Sequence, residues 1–404
     1  MRTTVGLDAI ALAVPQGFLE AGELAAARGV PPSKYTEGLG VRRLAVAQPW
    51  EDPVSLAANA ALRMFATSGA DPAKVGLCVV GTETAVDHSK PVAAYLHSLL
   101  GLPQRCRVYE TKHACFGGTA GVLTALDWIA SGSARGRSAL VICTDIARYD
   151  LRSPGEPTQG AAAVALLFTE RPRLFELEVG LGGSYSKDVN DFWRPLWRKD
   201  ALVDGHLSVQ CYLDAVTGAY SAWKEVCAAA DVNAPLARRC YHVPYGKMAR
   251  KAHRCARQLD GLSEAAADAS FEVEVGASLA FPQEIGNSYT GSLWISLASL
   301  LHREAAALEG QRVGLFSYGS GCTAEFFAGR VAAGAAAQVS RLSLAAPFDD
   351  RRAYTQGEYE AIRLQEAEAD RRPAGPTGAR PGEVAFAGLS GEARQYCRLP
   401  SSGR

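Results

Sequence analysis

The stretch ETKHACFGGTAG, residues 110–121, is where the fold and the chemistry of this sequence meet. It continues from a short run (106–109) that predicts a strand, and it leads into a helical pattern of apolar residues (122–129). Cys115 therefore lies at a strand-to-helix turn, where unpaired N–H groups and the helix dipole are predicted to favour the reactive thiolate. The glycines that follow Cys115 would let a substrate or a neighbouring backbone approach closely. A nucleophile and a buried structural cysteine are both open interpretations at this point.

Composition excludes several classes of function. The chain has 404 residues, enough for two domains, and 42 basic residues balance 42 acidic ones, so no net charge favours nucleic acid or a membrane surface. No secretory signal and no apolar run of ~20 residues is found, which predicts a protein without a membrane span. The ten cysteines show no C-x-x-C pair and no zinc-type spacing with histidine. We therefore expect reduced thiols, a cytoplasmic location and no bound metal.

Strands alternate with helices along the chain, which indicates an α/β protein with a largely parallel sheet covered on both faces. The pattern changes near residue 170, and a similar order of strand, polar turn and helix recurs beyond it. We predict two similar halves, 1–169 and 170–404. Glu83, Cys115 and Asp145 each follow a predicted strand, at the edge of the sheet where chemistry collects in such folds.

Three residues at strand ends could act together: Glu83, Cys115 and His242. A cysteine nucleophile, a carboxylate base and a histidine can support covalent acyl transfer with proton abstraction. On the residues alone, Glu83 could instead be a surface carboxylate and His242 a core histidine. The basic residues between 247 and 254 fit either a solvated helix face or a site for phosphate groups.

A series of motifs in order along the chain resembles the hydroxymethylglutaryl-CoA synthase family of the thiolase superfamily. The matching segments are KYTEGLG (34–40), TET (82–84), KHAC (112–115), TDIARY (144–149), GEPTQGA (155–161), HVPYGKM (242–248), GNSYTGS (286–292) and SYGSG (317–321). Three of them, TDIARY, GEPTQGA and HVPYGKM, are highly specific to this family.

The resemblance implies a thiolase-like five-layered αβαβα fold built from two similar halves, the first carrying Glu83 and Cys115 and the second carrying His242 and Asn287. It also implies a homodimer and a mechanism without a metal or redox cofactor. Cys115 would carry an acetyl group as a thioester, and Glu83 would remove a proton from its methyl group. The resulting carbon nucleophile would add to the ketone of a β-ketoacyl thioester, with His242 stabilising the developing alkoxide. Water would then release the product.

Further site residues follow from the same resemblance. Asn287 would orient the second substrate, and backbone N–H groups at Cys115 and near Ser320 would bind the thioester oxygen. Tyr149 and Thr158 are expected to line the substrate site. The phosphopantetheine arm, or the coenzyme A or carrier protein that bears it, is expected to meet Lys34, Lys247 and Lys251.

Two branches of the family differ in what carries the acyl groups. Enzymes of one branch use coenzyme A, and their product feeds isoprenoid synthesis. Enzymes of the other branch act on polyketide chains held on acyl carrier proteins and give a β-branched product. The segment KHACFGG (112–118) is more similar to the polyketide branch, so we expect donor and acceptor carrier proteins as partners, with the coenzyme A enzyme as the alternative. Phe116 departs from the tyrosine usual at that position, which puts the size of the donor acyl group in question.

Two other classes fit the superfamily less well. A decarboxylating ketosynthase uses Cys-His-His or Cys-His-Asn sites, which disagrees with Glu83 and with the segment around His242. A non-catalytic homologue that only docks carrier proteins is disfavoured, because all three reactive residues are intact.

Overall fold

The fold is an extended mixed sheet with helices packed on it, seen in a computed structural model that describes residues 4–369, 376 and 378–400. The strands are β1 (Val5–Ala13), β2 (Gly17–Glu20), β3 (Arg43–Val46), β4 (Val75–Gly81), β5 (Arg107–Thr111), β6 (Ser138–Ala147), β7 (Gly160–Thr169), β8 (Phe175–Leu177), β9 (Gly183–Ser186), β10 (Phe192–Trp193), β11 (Leu202–Val203), β12 (Arg238–Tyr241), β13 (Arg312–Gly319), β14 (Thr323–Val331), β15 (Arg352–Ala353), β16 (Val384–Ser390) and β17 (Ala393–Arg398). The helices are α1 (Ala21–Ala27), α2 (Ser33–Thr36), α3 (Pro53–Ser68), α4 (Val92–Leu99), α5 (Gly117–Ala130), α6 (Gly205–Ala229), α7 (Gly246–Leu259), α8 (Glu264–Glu274), α9 (Ala280–Ile285), α10 (Ser292–Leu308), α11 (Ala335–Leu342) and α12 (Gln356–Ala369).

The main sheet has the strand order β12-β13-β14-β8-β1-β7-β6-β4-β5, with β9 also paired to β14. The β12–β13, β4–β5 and β4–β6 pairs are parallel, and the other pairs in this sheet are antiparallel. The prediction of a largely parallel sheet is therefore wrong. β6 and β7 are antiparallel because residues 148–159, which join them, contain no crossover helix of the kind that joins parallel neighbours.

Strands from the two predicted halves join in one sheet. β8 pairs with β1 on one side and with β14 on the other, so three residues connect the strands on either side. Helix α3 packs on β1 and β7, α5 packs on β4 and β6, and α6 packs on β14. β7 ends at Thr169, while the division into halves at that residue remains a prediction.

Parallel strands bring the reactive segments to common edges. β4, β5 and β6 run side by side, so the residues that follow β4 and β5 emerge together beside the end of β6. Asp145, predicted to follow a strand, lies within β6 because this strand continues to Ala147. β12 runs parallel to β13, which places His242 beside the turn that follows Gly319.

Close backbone approach is confirmed at Gly118, near the beginning of α5. A Cβ atom at this position would lie 2.5 Å from Cys143 Sγ and 2.6 Å from the carbonyl oxygen of Thr290. Because such distances are far below van der Waals contact, only glycine lets α5 begin this close to the sheet. The turn that carries Cys115 is thereby held against β6.

In the described part of the chain, no helix is both long enough and apolar enough to cross a membrane.

Candidate active site

Cys115 and Glu83 are in direct contact. Cys115 Sγ donates a hydrogen bond to Glu83 Oε1 at 3.2 Å. Glu83 follows β4, and Cys115 lies in the turn between β5 and α5. This turn is tight, since Ala114 has a φ of +41°, a left-handed conformation that is unfavourable for alanine. The two residues that the sequence analysis chose as nucleophile and base therefore form one pair.

The surroundings of Cys115 favour the thiol over the thiolate that its position before a helix predicted. Burial raises its pKa well above the ordinary value, and the charges of Glu83 and Asp145 raise the pKa further. Helix α5 begins only at Gly117, two residues beyond Cys115. Burial and the neighbouring carboxyl groups therefore oppose the predicted activation of the thiolate.

Glu83 has the proton affinity expected of a base that works near neutral pH. Burial raises the pKa of its carboxyl group to about 8, with a further contribution from the negative charge of Asp145. A base is most effective when its pKa lies near the working pH. The carboxyl group can therefore both accept a proton and return it.

Asp145 holds this part of the site in place. Its Oδ1 atom accepts hydrogen bonds from the hydroxyl groups of Thr82 and Thr84 and from the backbone N–H groups of Glu83 and Thr84, at 2.8–3.0 Å. Its Oδ2 atom accepts from the Thr290 N–H at 3.1 Å and from the Thr290 hydroxyl. A fully buried carboxylate is tolerable only with partners of this kind. It ties the segment that carries Glu83 to a turn from the other half of the chain.

His242 is buried and neutral. Burial lowers the pKa of its imidazole to about 3, so the ring carries no charge at neutral pH. Its backbone is fixed on both sides, since its N–H donates to the Phe316 carbonyl at 2.8 Å and its carbonyl accepts from the Tyr212 hydroxyl at 2.7 Å. A neutral imidazole held in this way can donate a hydrogen bond to an oxygen that becomes negative.

A cavity of about 970 Å³ joins most of the candidate residues. Those that line it are Cys115, Tyr149, Thr158, His242, Lys251, Asn287 and Ser320. We name this space the main cavity. Its lining comes from both sides of residue 170, and it is large enough for an extended thioester substrate.

The three lysines predicted to meet the phosphopantetheine arm differ in burial and position. Lys251 lines the main cavity and is partly buried, and desolvation together with the charge of Lys247 lowers its pKa. Lys34 and Lys247 are exposed and lie outside that lining. Their segments do meet, because the Lys247 N–H donates to the Leu39 carbonyl at 3.0 Å.

Two of the basic residues of α7, Arg250 and Arg254, are paired with acidic residues of α8. Arg254 pairs with Glu264 and Asp268 of α8, both at 2.6 Å, and Arg250 lies 3.8 Å from Asp268. His253 is buried and its Nε2 is hydrogen-bonded to the Ser270 hydroxyl. The face is therefore partly charge-paired with α8 and partly solvated, since Lys247 and Arg250 are exposed.

Sequence analysis missed Asp191, which is fully buried beside the site. Its carboxylate accepts from the Tyr318 hydroxyl at 2.6 Å and from the Gly321 N–H at 3.0 Å, so it holds the turn that contains Ser320. This turn packs directly on the cysteine segment, because a Cβ on Gly319 would lie 2.6 Å from the Phe116 nitrogen. Asp191 lies in an irregular aromatic stretch whose pattern gives no signal for a buried carboxylate.

Within the described residues, no cluster of three or more histidine, cysteine, aspartate or glutamate side chains is arranged to hold a metal ion.

Comparison with known proteins shows the family of the chain. The family description "Hydroxymethylglutaryl-coenzyme A synthase N terminal" matches residues 1–172, and the corresponding C-terminal description matches residues 175–258 and 253–378. A hydroxymethylglutaryl-CoA synthase of Enterococcus faecalis is 36% identical over 91% of this chain and 93% of its own length. The polyketide biosynthesis 3-hydroxy-3-methylglutaryl-ACP synthase PksG of Bacillus subtilis is 33% identical over 81% of this chain and 80% of its own.

Solved structures with similar sequences share the fold of this chain. The structure of MvaS in complex with 3-hydroxy-3-methylglutaryl coenzyme A has a TM-score of 0.94 and 47% identity, covering 99% of this chain and 100% of that one. The HMG synthase of the curacin biosynthetic pathway, in complex with its apo donor-ACP, has a TM-score of 0.89 and 31% identity, covering 98% and 100%. The predicted thiolase-like αβαβα fold is thereby confirmed. The chain belongs to the hydroxymethylglutaryl-CoA synthase family.

Proposed function

We propose that this protein condenses an acetyl group held on Cys115 with the ketone of a β-ketoacyl thioester, and that both acyl groups arrive on coenzyme A. The contact between Cys115 and Glu83 at the wall of the main cavity carries the proposal for the chemistry. It joins a nucleophile to a group that can take up and return a proton near neutral pH. No metal or redox cofactor has a part in the steps proposed.

Acetylation begins from a neutral thiol. As Cys115 Sγ attacks the acetyl thioester carbon, its proton passes along the existing hydrogen bond to Glu83. The leaving coenzyme A thiolate takes up this proton, and Glu83 returns to the carboxylate form. The raised pKa of Glu83 makes both transfers possible without a large energetic penalty.

Condensation uses the same carboxylate. Glu83 lies beside the sulfur, so it is within reach of the methyl group of an acetyl thioester formed there. The carbon nucleophile adds to the ketone of the second substrate in the main cavity. His242, neutral and buried, donates a hydrogen bond as the ketone oxygen becomes an alkoxide. A single hydrogen-bond donor in such a role lowers the activation barrier by ~3 kcal/mol. The alkoxide then takes up one proton from solvent water, and Glu83 releases the methyl proton to solvent, which leaves a hydroxyl group on the product and restores the Glu83 carboxylate.

The family relationship and the charges around the main cavity support coenzyme A as the carrier. MvaS, whose structure contains 3-hydroxy-3-methylglutaryl coenzyme A, is 47% identical to this chain. Lys251 supplies a point charge in the cavity wall, suited to a phosphate group. Arg250 and Arg254 are engaged with acidic residues of α8, so α7 offers an acidic carrier protein less free charge than its sequence suggested.

The second candidate is the carrier-protein enzyme favoured by the sequence analysis. The KHAC segment that contains Cys115 supports it, and so do the relatives PksG, described as an HMG-ACP synthase, and the curacin HMG synthase, whose structure includes a donor-ACP. In this alternative, donor and acceptor acyl carrier proteins are the partners. The homodimer implied by the resemblance also remains a prediction.

The carrier is tested by offering acetyl-CoA and an acetylated carrier protein separately and measuring Cys115 acetylation by mass spectrometry. We expect acetyl-CoA to load Cys115 and acetoacetyl-CoA to be turned over, since Lys251 can bind a phosphate of coenzyme A. Cys115→Ser is the control for loading at other thiols. Loading that requires the carrier protein would contradict the coenzyme A proposal and support the second candidate.

Glu83→Gln tests the assignment of the base. Glutamine keeps the shape and an acceptor oxygen, but it cannot take a proton, so condensation should fall by about 10²–10⁴-fold. Acetylation of Cys115 should survive more fully, because removing the negative charge also removes one cause of the raised thiol pKa. Single-turnover mass spectrometry separates the two steps. Condensation at the wild-type rate in this variant would show that Glu83 is not the base.

Lys251→Gln tests the proposed phosphate contact. Loss of a hydrogen bond to a charged group costs about 1.5–3 kcal/mol, so KM for the coenzyme A substrates should rise about tenfold or more with kcat little changed. The matched control is Arg254→Gln on the same helix, whose charge is already paired with Glu264 and Asp268. Steady-state kinetics of both variants give the comparison. An equal change in KM for both would mean that Lys251 has no specific role.

A further inference from the structure

A second cavity meets the reactive pair from another direction. It has a volume of about 470 Å³, and its wall includes Glu83, Thr84, Val86, Lys112 and Arg194. Cys115 faces the main cavity, whereas Glu83 faces this second cavity. Phe192 lines both spaces, so it is part of the partition between them. The Cys115–Glu83 contact therefore connects two chambers.

The reaction proposed above creates a need for a second opening. After condensation, the adduct is attached to Cys115 at one end and to its carrier at the other. The carrier arm then lies in the main cavity and obstructs it. Hydrolysis still requires a water molecule at the thioester carbon next to Cys115. A route that does not pass the bound arm would meet this need.

The second cavity has the size and polarity that water requires. A water molecule occupies ~30 Å³ in the liquid, so a space of about 470 Å³ has room for many. Hydroxyl, carboxyl and cationic groups supply hydrogen-bond partners in its wall, including Thr84, Glu83 and Lys112. Arg194 lies close enough to Glu83 to favour its carboxylate form electrostatically. A carboxylate that forms at Cys115 would also be attracted towards this positive side.

We propose that the second cavity is the route by which water reaches the Cys115 thioester for this hydrolysis. The inference rests on the proposed condensation. The water oxygen bonds to the thioester carbon while one of its protons passes to Glu83. The carbon–sulfur bond then breaks, and Glu83 gives the proton to Cys115 Sγ. The products are the free thiol and a carboxylic acid, which ionises.

Two matched substitutions test the route. Val86 and Val209 are both partly buried, and they line the second cavity and the main cavity respectively. Val86→Trp narrows the water route, so the condensed adduct should accumulate on Cys115 at least about tenfold above wild type. Val209→Trp narrows the substrate path, so it should slow acetylation without accumulation of the adduct. Quenched-flow mass spectrometry of the intact enzyme measures both species.

Lys112→Trp is a second variant for the same route, at an exposed position where a larger side chain does not threaten folding. It should also accumulate the adduct. Hydrolysis at the wild-type rate in the folded Trp variants would overturn the water route. A wild-type enzyme that forms neither acetyl-enzyme nor condensed adduct would instead overturn the proposed function, so the two failures are distinguishable.

Discussion

The buried carboxylate of Asp145 is the constraint on which the rest of the site depends. Removing a carboxylate from water costs several kcal/mol unless hydrogen bonds replace its hydration. Here the donors come from both sides of the molecule: the segment after β4 supplies Thr82 and Thr84, and the turn before α10 supplies Thr290. The hydrogen bonds to Asp145 therefore hold the segment after β4 and the turn before α10 together. The negative charge of Asp145 also raises the pKa values of Glu83 and Cys115.

The electrostatic consequence is a site in which the thiol form of Cys115 is favoured over the thiolate. Asp145 and burial together keep the proton affinity of Glu83 high, and both groups keep Cys115 protonated. A thiol that already donates to its base can lose the proton when an acyl thioester arrives. His242 is kept neutral by burial, so it can donate to an alkoxide without adding a positive charge that would hold Glu83 as a carboxylate too firmly. Desolvation is thus the largest cause of the pKa shifts of Glu83, Cys115 and His242.

Sequence reasoning reached the reactive residues because strand ends are readable from local patterns. Glu83, Cys115 and His242 were each placed after a predicted strand, and the structure brings the first two into contact and places His242 in the wall of the same cavity as Cys115. The direction of strand pairing was not predictable in this way, because β7 returns from β6 through a loop with no helical crossover. Nor were Asp191 or the pairing of Arg254 with α8 predictable, since both depend on contacts between segments distant in sequence. The protonation state of Cys115 depends on burial, which the local sequence pattern does not indicate.

The state of that proton is the direct test of this account. The ultraviolet absorbance of the thiolate, measured as a difference between wild type and Cys115→Ser across a pH titration, reports the ionisation of Cys115 alone. Burial and the two neighbouring carboxyl groups predict no thiolate signal at neutral pH and its appearance only well above the usual cysteine pKa. In Glu83→Gln the signal should appear at lower pH. A thiolate already present at pH 7 in the wild type would contradict the account.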